Sequence, residues 1–234
     1  LEIYAVKVPE FINPVVYHQL LKIVDQSKQR KIEKFMKKED KYRGLLSDLL
    51  IRRLVACKTS KPIHSIKFVY NKFGKPFIDD CDIMFNLSHS GKWVVCVLGE
   101  TCVGIDVEEI TPIDFNICKY VFSEQEYQQY LLQPQELQKN FFFDIWTLKE
   151  SFVKALGLGL SIPPNSFSMN INNMDGHISI VQNISNDTFY FKQYLLEDTY
   201  KLSVCSVRQT FPDSFEMINV NEILYNHPIS IFEV

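Results

Sequence analysis

The sequence lacks most of the features that would place it in a specialised class. Apolar runs such as Trp93–Leu98 fall far short of the roughly 20 residues that a bilayer-spanning helix needs, so no membrane partner is expected. The opening Leu1-Glu2-Ile3-Tyr4 lacks the charged and apolar regions of a signal peptide, and a cytoplasmic location is the corresponding expectation. The cysteines Cys57, Cys81, Cys96, Cys102, Cys118 and Cys205 show no paired metal-ligand spacing, and most sit in apolar runs where a reduced thiol behaves as a small hydrophobe. Neither a disulfide framework nor a zinc site is expected. Basic excess is missing as well: a net charge of -3 and a pI near 6.0 argue against general nucleic-acid binding, which favours a chain that can neutralise a phosphate backbone.

What remains is a chain of 234 residues, 46% hydrophobic and 23% charged, able to bury a sizeable core as one large domain or two small lobes. Alternation around Ile3, Ala5 and Val8 suggests an opening strand. Tyr42, Leu45, Leu46, Leu49, Leu50 and Leu54 recur at helical spacing, which predicts a helix from Glu39 to about Cys57 with one buried stripe. Strand-like runs follow at Ile66–Tyr70, Ile83–Leu87, Trp93–Leu98 and Cys102–Val107, separated by Gly-Lys-Pro and Ser-Gly-Lys turns. The order then recurs in outline, with a helix over about Leu137 to Leu156 before strands at Phe167–Ile171, Ile178–Val181, Phe189–Tyr194 and Lys201–Val207. The reading is α+β: two similar lobes, each a helix packed on a mainly antiparallel sheet, related by a pseudo-twofold with the site in the cleft between them. Residues 1–104 form the N-terminal lobe and 105–234 the C-terminal lobe in this reading.

Several motifs carry chemistry. In Gly104-Ile105-Asp106-Val107-Glu108 a strand's period of two puts Asp106 and Glu108 on one face, where two carboxylates repel unless a cation sits between them; hard oxygen ligands suit Mg²⁺. An exposed strand edge with ordinary acids fits the same pentapeptide. Trp146, Glu150 and Lys154 are spaced by four on one helical face, either as a wall, an acid or base, and a phosphate contact, or as a surface ion pair beside a core tryptophan. Phe85-Asn86-Leu87-Ser88-His89-Ser90-Gly91 reads as a strand entering a tight turn that presents Ser88 and His89 to phosphate oxygens. A Ser88–His89 acyl-transfer dyad is disfavoured, because adjacent residues on an extended chain point apart. Asn71-Lys72-Phe73-Gly74-Lys75-Pro76 is a turn from which Lys75 could reach an anion. Between Lys28 and Arg43 eight basic residues face Glu33, Glu39 and Asp40, a grip for a terminal phosphate or simply a solvated face.

Taken in order, GKP at 74–76, FNLSHSG at 85–91, GIDVE at 104–108 and WTLKESFVK at 146–154 resemble the successive motifs of the phosphopantetheinyl transferase superfamily, in its two-lobed, surfactin-synthetase-activating type. The resemblance implies Mg²⁺-dependent transfer of the 4'-phosphopantetheine of coenzyme A to a serine of a peptidyl or acyl carrier protein, as in nonribosomal peptide and antibiotic biosynthesis, with adenosine 3',5'-bisphosphate (3',5'-ADP) as co-product. It implies Asp106, Glu108 and Glu150 as metal ligands, with Val107 between the first two unable to ligate. His89, Lys75 and Lys154 become pyrophosphate contacts with Ser88 beside them; Lys28, Lys31 and Arg43 hold the 3'-phosphate; and Gly74, Lys75 and Pro76 lie against the nucleotide. Glu150, Lys154 and His89 are the catalytic set. Apolar side chains in Thr111–Ser123 and the loop Gly157–Leu160 are expected to dock the carrier, and a monomer is expected because one chain completes the site. A magnesium-dependent hydrolase, a non-catalytic coenzyme A or carrier-binding module, and a nucleic-acid binder acting through Lys28–Arg43 stand as alternatives.

Overall fold

The computed structural model describes residues 1–172 and 176–225. Its elements run β1 (Glu2–Lys7), α1 (Pro14–Leu21), α2 (Gln26–Glu33), α3 (Lys38–Thr59), β2 (Phe68–Tyr70), β3 (Pro76–Ile78), β4 (Met84–Ser90), β5 (Trp93–Gly99), β6 (Val103–Glu109), α4 (Cys118–Val121), α5 (Glu124–Leu131), α6 (Gln135–Leu156), β7 (Ser168–Ile171), β8 (Ile178–Val181), β9 (Tyr190–Tyr194), β10 (Tyr200–Ser206), β11 (Glu216–Ile218) and α7 (Val220–Tyr225). Among the described residues no helix is long and apolar enough to cross a membrane.

Four layers follow from which face of each strand is apolar. Leu45, Leu46, Leu49 and Leu50 of α3 are fully buried against Tyr4, Val6, Phe85, Val94, Cys96 and Leu98, one face of the sheet ordered β11-β1-β5-β4. Each such leucine contributes about 1.5–3 kcal/mol by leaving water. The opposite face of that sheet, Ile3, Ala5, Trp93, Val95 and Val97, packs on Val103, Ile105, Val107, Leu202 and Val204 of a second sheet ordered β6-β10-β9. Helix α6 covers the outer face of the second sheet. Each of the two covering helices has 22 residues, and the helix-sheet-sheet-helix stack is the two-lobed α+β arrangement.

Three features differ from the sequence reading. A division between residues 104 and 105 falls inside β6, whose residues 103–109 all pair with β10; the chain changes sheets earlier, in the turn after β5. The C-terminal segment returns to the first lobe: β11 pairs with β1 in parallel, within sheets that are mainly antiparallel as expected, while Ile223 and Leu224 of α7 enter the core beneath α3 and Arg53 pairs with Glu222 at 2.9 Å. Finally, β4 continues through Ser90, so the turn comes at Gly91–Lys92.

Under α6, Lys149 is fully buried and pairs at 2.8 Å with the equally buried Glu126. Its ammonium also donates to Pro164 O at 2.8 Å and Phe167 O at 2.6 Å, and Glu126 accepts from the backbone N–H groups of Ser123 and Met169. The network joins α5, α6 and the entry to β7, and every polar group in it is satisfied. Lys149→Ala leaves Glu126 as a buried, unpaired charge and is expected to cost about 3–5 kcal/mol, read as a lower urea midpoint, with Glu126→Gln added to Lys149→Met recovering part of the loss.

Candidate active site

The site forms where β4 and β6, the facing edges of the two sheets, run side by side without a backbone ladder. Side chains join them instead. Ile105 N donates to Asn86 Oδ1 at 3.0 Å, Ser88 Oγ donates to Asp106 Oδ1 at 2.8 Å, Ser90 Oγ donates to Glu108 Oε2 at 2.8 Å, and Glu109 N donates to Ser90 Oγ at 3.1 Å. The period of two on both strands makes this match possible: Asn86, Ser88 and Ser90 lie on one face of β4, and Gly104, Asp106 and Glu108 on one face of β6.

Gly104 admits α6 onto that face. A Cβ there would lie 2.0 Å from Ser151 O and 2.4 Å from Ala155 N, so only a hydrogen at this position lets the helix backbone seat. The seated helix brings Lys154 Nζ to 2.5 Å from Asp106 Oδ1 and 2.8 Å from Ser88 Oγ. Glu150, one turn earlier, sits close enough to feel Asp106, Lys154 and Glu108, and Trp146, another turn back, lies near enough to Glu108 to favour its charged form.

Electrostatics at this point are strained in one direction. Burial first, and then the neighbouring carboxylates, raise Glu108 above its ordinary value and push Glu150 to about 6. Burial raises Asp106 too, opposed by Lys154 and Ser88. Asp106 is 2% exposed, and its Oδ2 is buried with no hydrogen-bond partner. An orphaned acceptor among three mutually repelling acids fits a cation. Among the described residues no group of three His, Cys, Asp or Glu side chains is arranged as it stands to hold a metal ion, and Lys154 occupies Asp106 Oδ1.

The other sequence-derived residues divide. Lys28, Lys31, Gly74 and Pro76 come together on one pocket of 190 Å³ with Phe68, Tyr70 and Asp48. His89 is an exposed residue of β4 within reach of the charges of Arg43, Lys154 and Lys28; partial desolvation of the ring, and then those charges, lower its pKa. Arg43 is drawn aside, donating to Gly91 O and Asp40 Oδ1, which fixes the turn after His89. Lys75 does not point at the acids. Its ammonium donates to Val103 O at 3.2 Å and to Lys154 O and Ala155 O at 2.8 Å each, a cation closing the C-terminal end of α6 with three protons matched to three carbonyls. Asn71 fastens the same turn, donating to Gly157 O at 2.8 Å and accepting from Lys75 N at 2.9 Å. Sequence reasoning passed over Asn86 and Ser90, although their spacing around Ser88 mirrors that of the acids; Asp48 carried no local signal.

Family models described as "4'-phosphopantetheinyl transferase, N-terminal" and "4'-phosphopantetheinyl transferase superfamily" match residues 13–101 and 102–205. The 4'-phosphopantetheinyl transferase Sfp of Bacillus subtilis (strain 168) is 34% identical over 225 residues, 96% of this chain and 100% of that protein. The chain belongs to the 4'-phosphopantetheinyl transferase superfamily. The transferase is also 39% identical over 207 residues to the 4'-phosphopantetheinyl transferase gsp of Aneurinibacillus migulanus, covering 88% of this chain and 86% of that one. A partial structural likeness links it to a holo-(acyl-carrier-protein) synthase from Bacillus anthracis str. Ames in complex with CoA (3',5'-ADP), with TM-score 0.40, 13% identity, and coverage of 45% of this chain and 93% of that one. It is an enzyme that transfers phosphopantetheine from coenzyme A to a carrier protein.

Proposed function

We propose that the transfer takes place at the Asp106–Glu108–Glu150 cluster, with Mg²⁺ as the metal and a serine of a peptidyl carrier domain as acceptor. The observation that carries this reading is the buried, unpartnered Oδ2 of Asp106 beside two carboxylates whose pKa values are raised. Asp106, Glu108 and Glu150 would hold the ion, which when bound supplies charge neutralisation on the pyrophosphate. Coenzyme A lies across the cleft with its nucleotide in the Lys28–Lys31 pocket and its pyrophosphate between His89 and Lys154.

Lys154 turns its ammonium from Asp106 toward the phosphates, where it meets negative charge that grows as the anhydride opens. His89 donates an N–H to the phosphates and gains basicity as their charge arrives. The serine oxygen bonds to the β-phosphorus, the bond from that phosphorus to the bridging oxygen breaks, and 3',5'-ADP leaves with the electron pair. Glu150 takes the hydroxyl proton through an oxygen not engaged with the ion. Lys75 positions α6 from behind and takes no phosphate in this scheme.

For the carrier, the segment from Thr111 to Ser123 offers Phe115, Ile117 and Tyr120, which are 49, 43 and 74% exposed. The loop after α6 offers less, since Leu158 packs against the second core. One chain supplies every group named, so we read the enzyme as a cytoplasmic monomer acting in nonribosomal peptide synthesis. No observation favours the binding-module, hydrolase or nucleic-acid alternatives.

Intact mass spectrometry of an apo peptidyl carrier domain, incubated with the enzyme, coenzyme A and Mg²⁺, tests the reading. A phosphopantetheine mass gain that disappears without metal is expected; an equal gain in metal-free buffer would remove the ion from the scheme.

A further inference from the structure

The pocket that unites Lys28, Lys31, Gly74 and Pro76 contains a residue at odds with a phosphate site. Asp48 lines it and is only 5% exposed. Its charge is matched by an ion pair with Arg52, so what it can offer a ligand is its second carboxylate oxygen. Its Oδ1 accepts from Arg52 Nε at 2.5 Å, and among the described residues no donor reaches its Oδ2. Arg52 is itself fully buried, held by Asp25 at 2.7 Å and Ile66 O at 2.5 Å and lying 4.8 Å over the Phe68 ring, so the carboxylate cannot swing away without breaking a buried network. Lys28 and Arg52 partly offset its charge.

Around this acid the walls are flat and apolar, formed by Phe68, Tyr70, Pro76 and Leu87. Lys31 lies 5.9 Å over the Tyr70 ring. The volume of 190 Å³ equals the liquid share of roughly six waters, room for one bicyclic base. The chemistry is that of an aromatic base bearing an N–H donor, with an anionic group attached.

We propose that Asp48 selects adenine, its carboxylate accepting a hydrogen bond from the exocyclic amine of a base held among Phe68, Tyr70 and Pro76 with its phosphate on Lys28 and Lys31. This rests on the nucleotide reading of the pocket. Hypoxanthine places an oxygen acceptor where adenine has the amine, so it opposes the carboxylate with a second acceptor. Hypoxanthine keeps a donor only at N1–H, so an acceptor aimed at the 6-position rejects the analogue that cannot donate there.

Calorimetric titration of the intact enzyme with 3',5'-ADP and with inosine 3',5'-bisphosphate tests the proposal without a carrier or turnover. The wild-type chain is expected to prefer 3',5'-ADP by about tenfold or more, the scale of one base-edge contact. In Asp48→Asn the amide keeps an acceptor for Arg52 and can rotate to offer either an oxygen or an N–H, so the preference is expected to fall to about twofold. Equal affinity of the wild type for both nucleotides overturns the proposal, and so does a preference unchanged in a folded Asp48→Asn variant. If that variant does not fold, the wild-type comparison decides alone. Absence of any 3',5'-ADP binding to the wild type overturns the nucleotide reading and the proposal with it. Lys28→Gln separates the two, because it is expected to weaken both nucleotides by the same factor and leave their ratio intact.

Discussion

Gly104→Ala is expected to abolish carrier modification while the chain still forms both helices. The added Cβ meets Ser151 O and Ala155 N of the α6 backbone at 2.0 and 2.4 Å, distances that no side-chain rotation can relieve. The helix must rise from β6, and everything mounted on it rises too: Lys154 leaves Asp106 and Ser88, Glu150 leaves the two strand acids, and the carbonyls of Lys154 and Ala155 pull away from Lys75. Misplacement of catalytic groups by about 1 Å costs on the order of a hundredfold, and overpacking a core costs about 1–3 kcal/mol. The check is turnover in the mass assay together with thermal unfolding. A variant that loses stability but keeps full turnover would show that α6 need not seat on Gly104 to work.

Glu150→Gln is expected to lower turnover by about 10²–10⁴, the usual contribution of a general base, and its stability profile carries a second signature. In the folded chain Glu150 titrates at about 6 against an ordinary 4.5, because burial and then Asp106 disfavour its charge. The raised pKa means that the folded state prefers the protonated acid. Stability from this group is therefore fully present below about 4.5 and declines as pH rises through about 6. Comparing melting temperatures at pH 5 and pH 7, wild type is expected to lose ground relative to Glu150→Gln on going to the higher pH. Added Mg²⁺ is expected to restore the wild type at pH 7 and to do little at pH 5, where the acid holds a proton. Identical pH profiles for both chains, with no response to the ion, would place Glu150 outside the metal cluster.

The parts of this enzyme that were legible beforehand are those whose periodicity is local. The leucines of α3 repeat at helical spacing, and α6 shows the same pattern, because one buried stripe on a helix leaves its mark within a single stretch of chain. The pairing of Asp106 with Glu108 on one strand face, and the Trp146–Glu150–Lys154 line on one helix face, follow from the same kind of regularity. Lys75 was not legible. A lysine in a Gly-Lys-Pro turn looks free to meet an anion, and only the meeting of β6 with the end of α6 surrounds it with three carbonyls. Arg43 likewise belonged on sequence grounds to a basic run, and its ties to Gly91 and Asp40 exist because the hairpin between β4 and β5 folds back onto α3. Ser90, read as part of a turn, is strand because β4 stays paired with β5 as far as Trp93, which leaves its hydroxyl facing Glu108 and Glu109 across the gap.

By itself the sequence determined the two covering helices, most of the strands, the facing of the acids and the family resemblance, since each depends on residue types at short, regular spacings. The tertiary structure alone decided that β5 and β6, neighbours in the chain, part into different sheets; that β11 crosses from the far end to pair with β1; and which basic side chains still face the cleft. Those outcomes depend on which backbone groups and charges must be satisfied when distant segments come together, and burial enforces that satisfaction only once the layers are assembled.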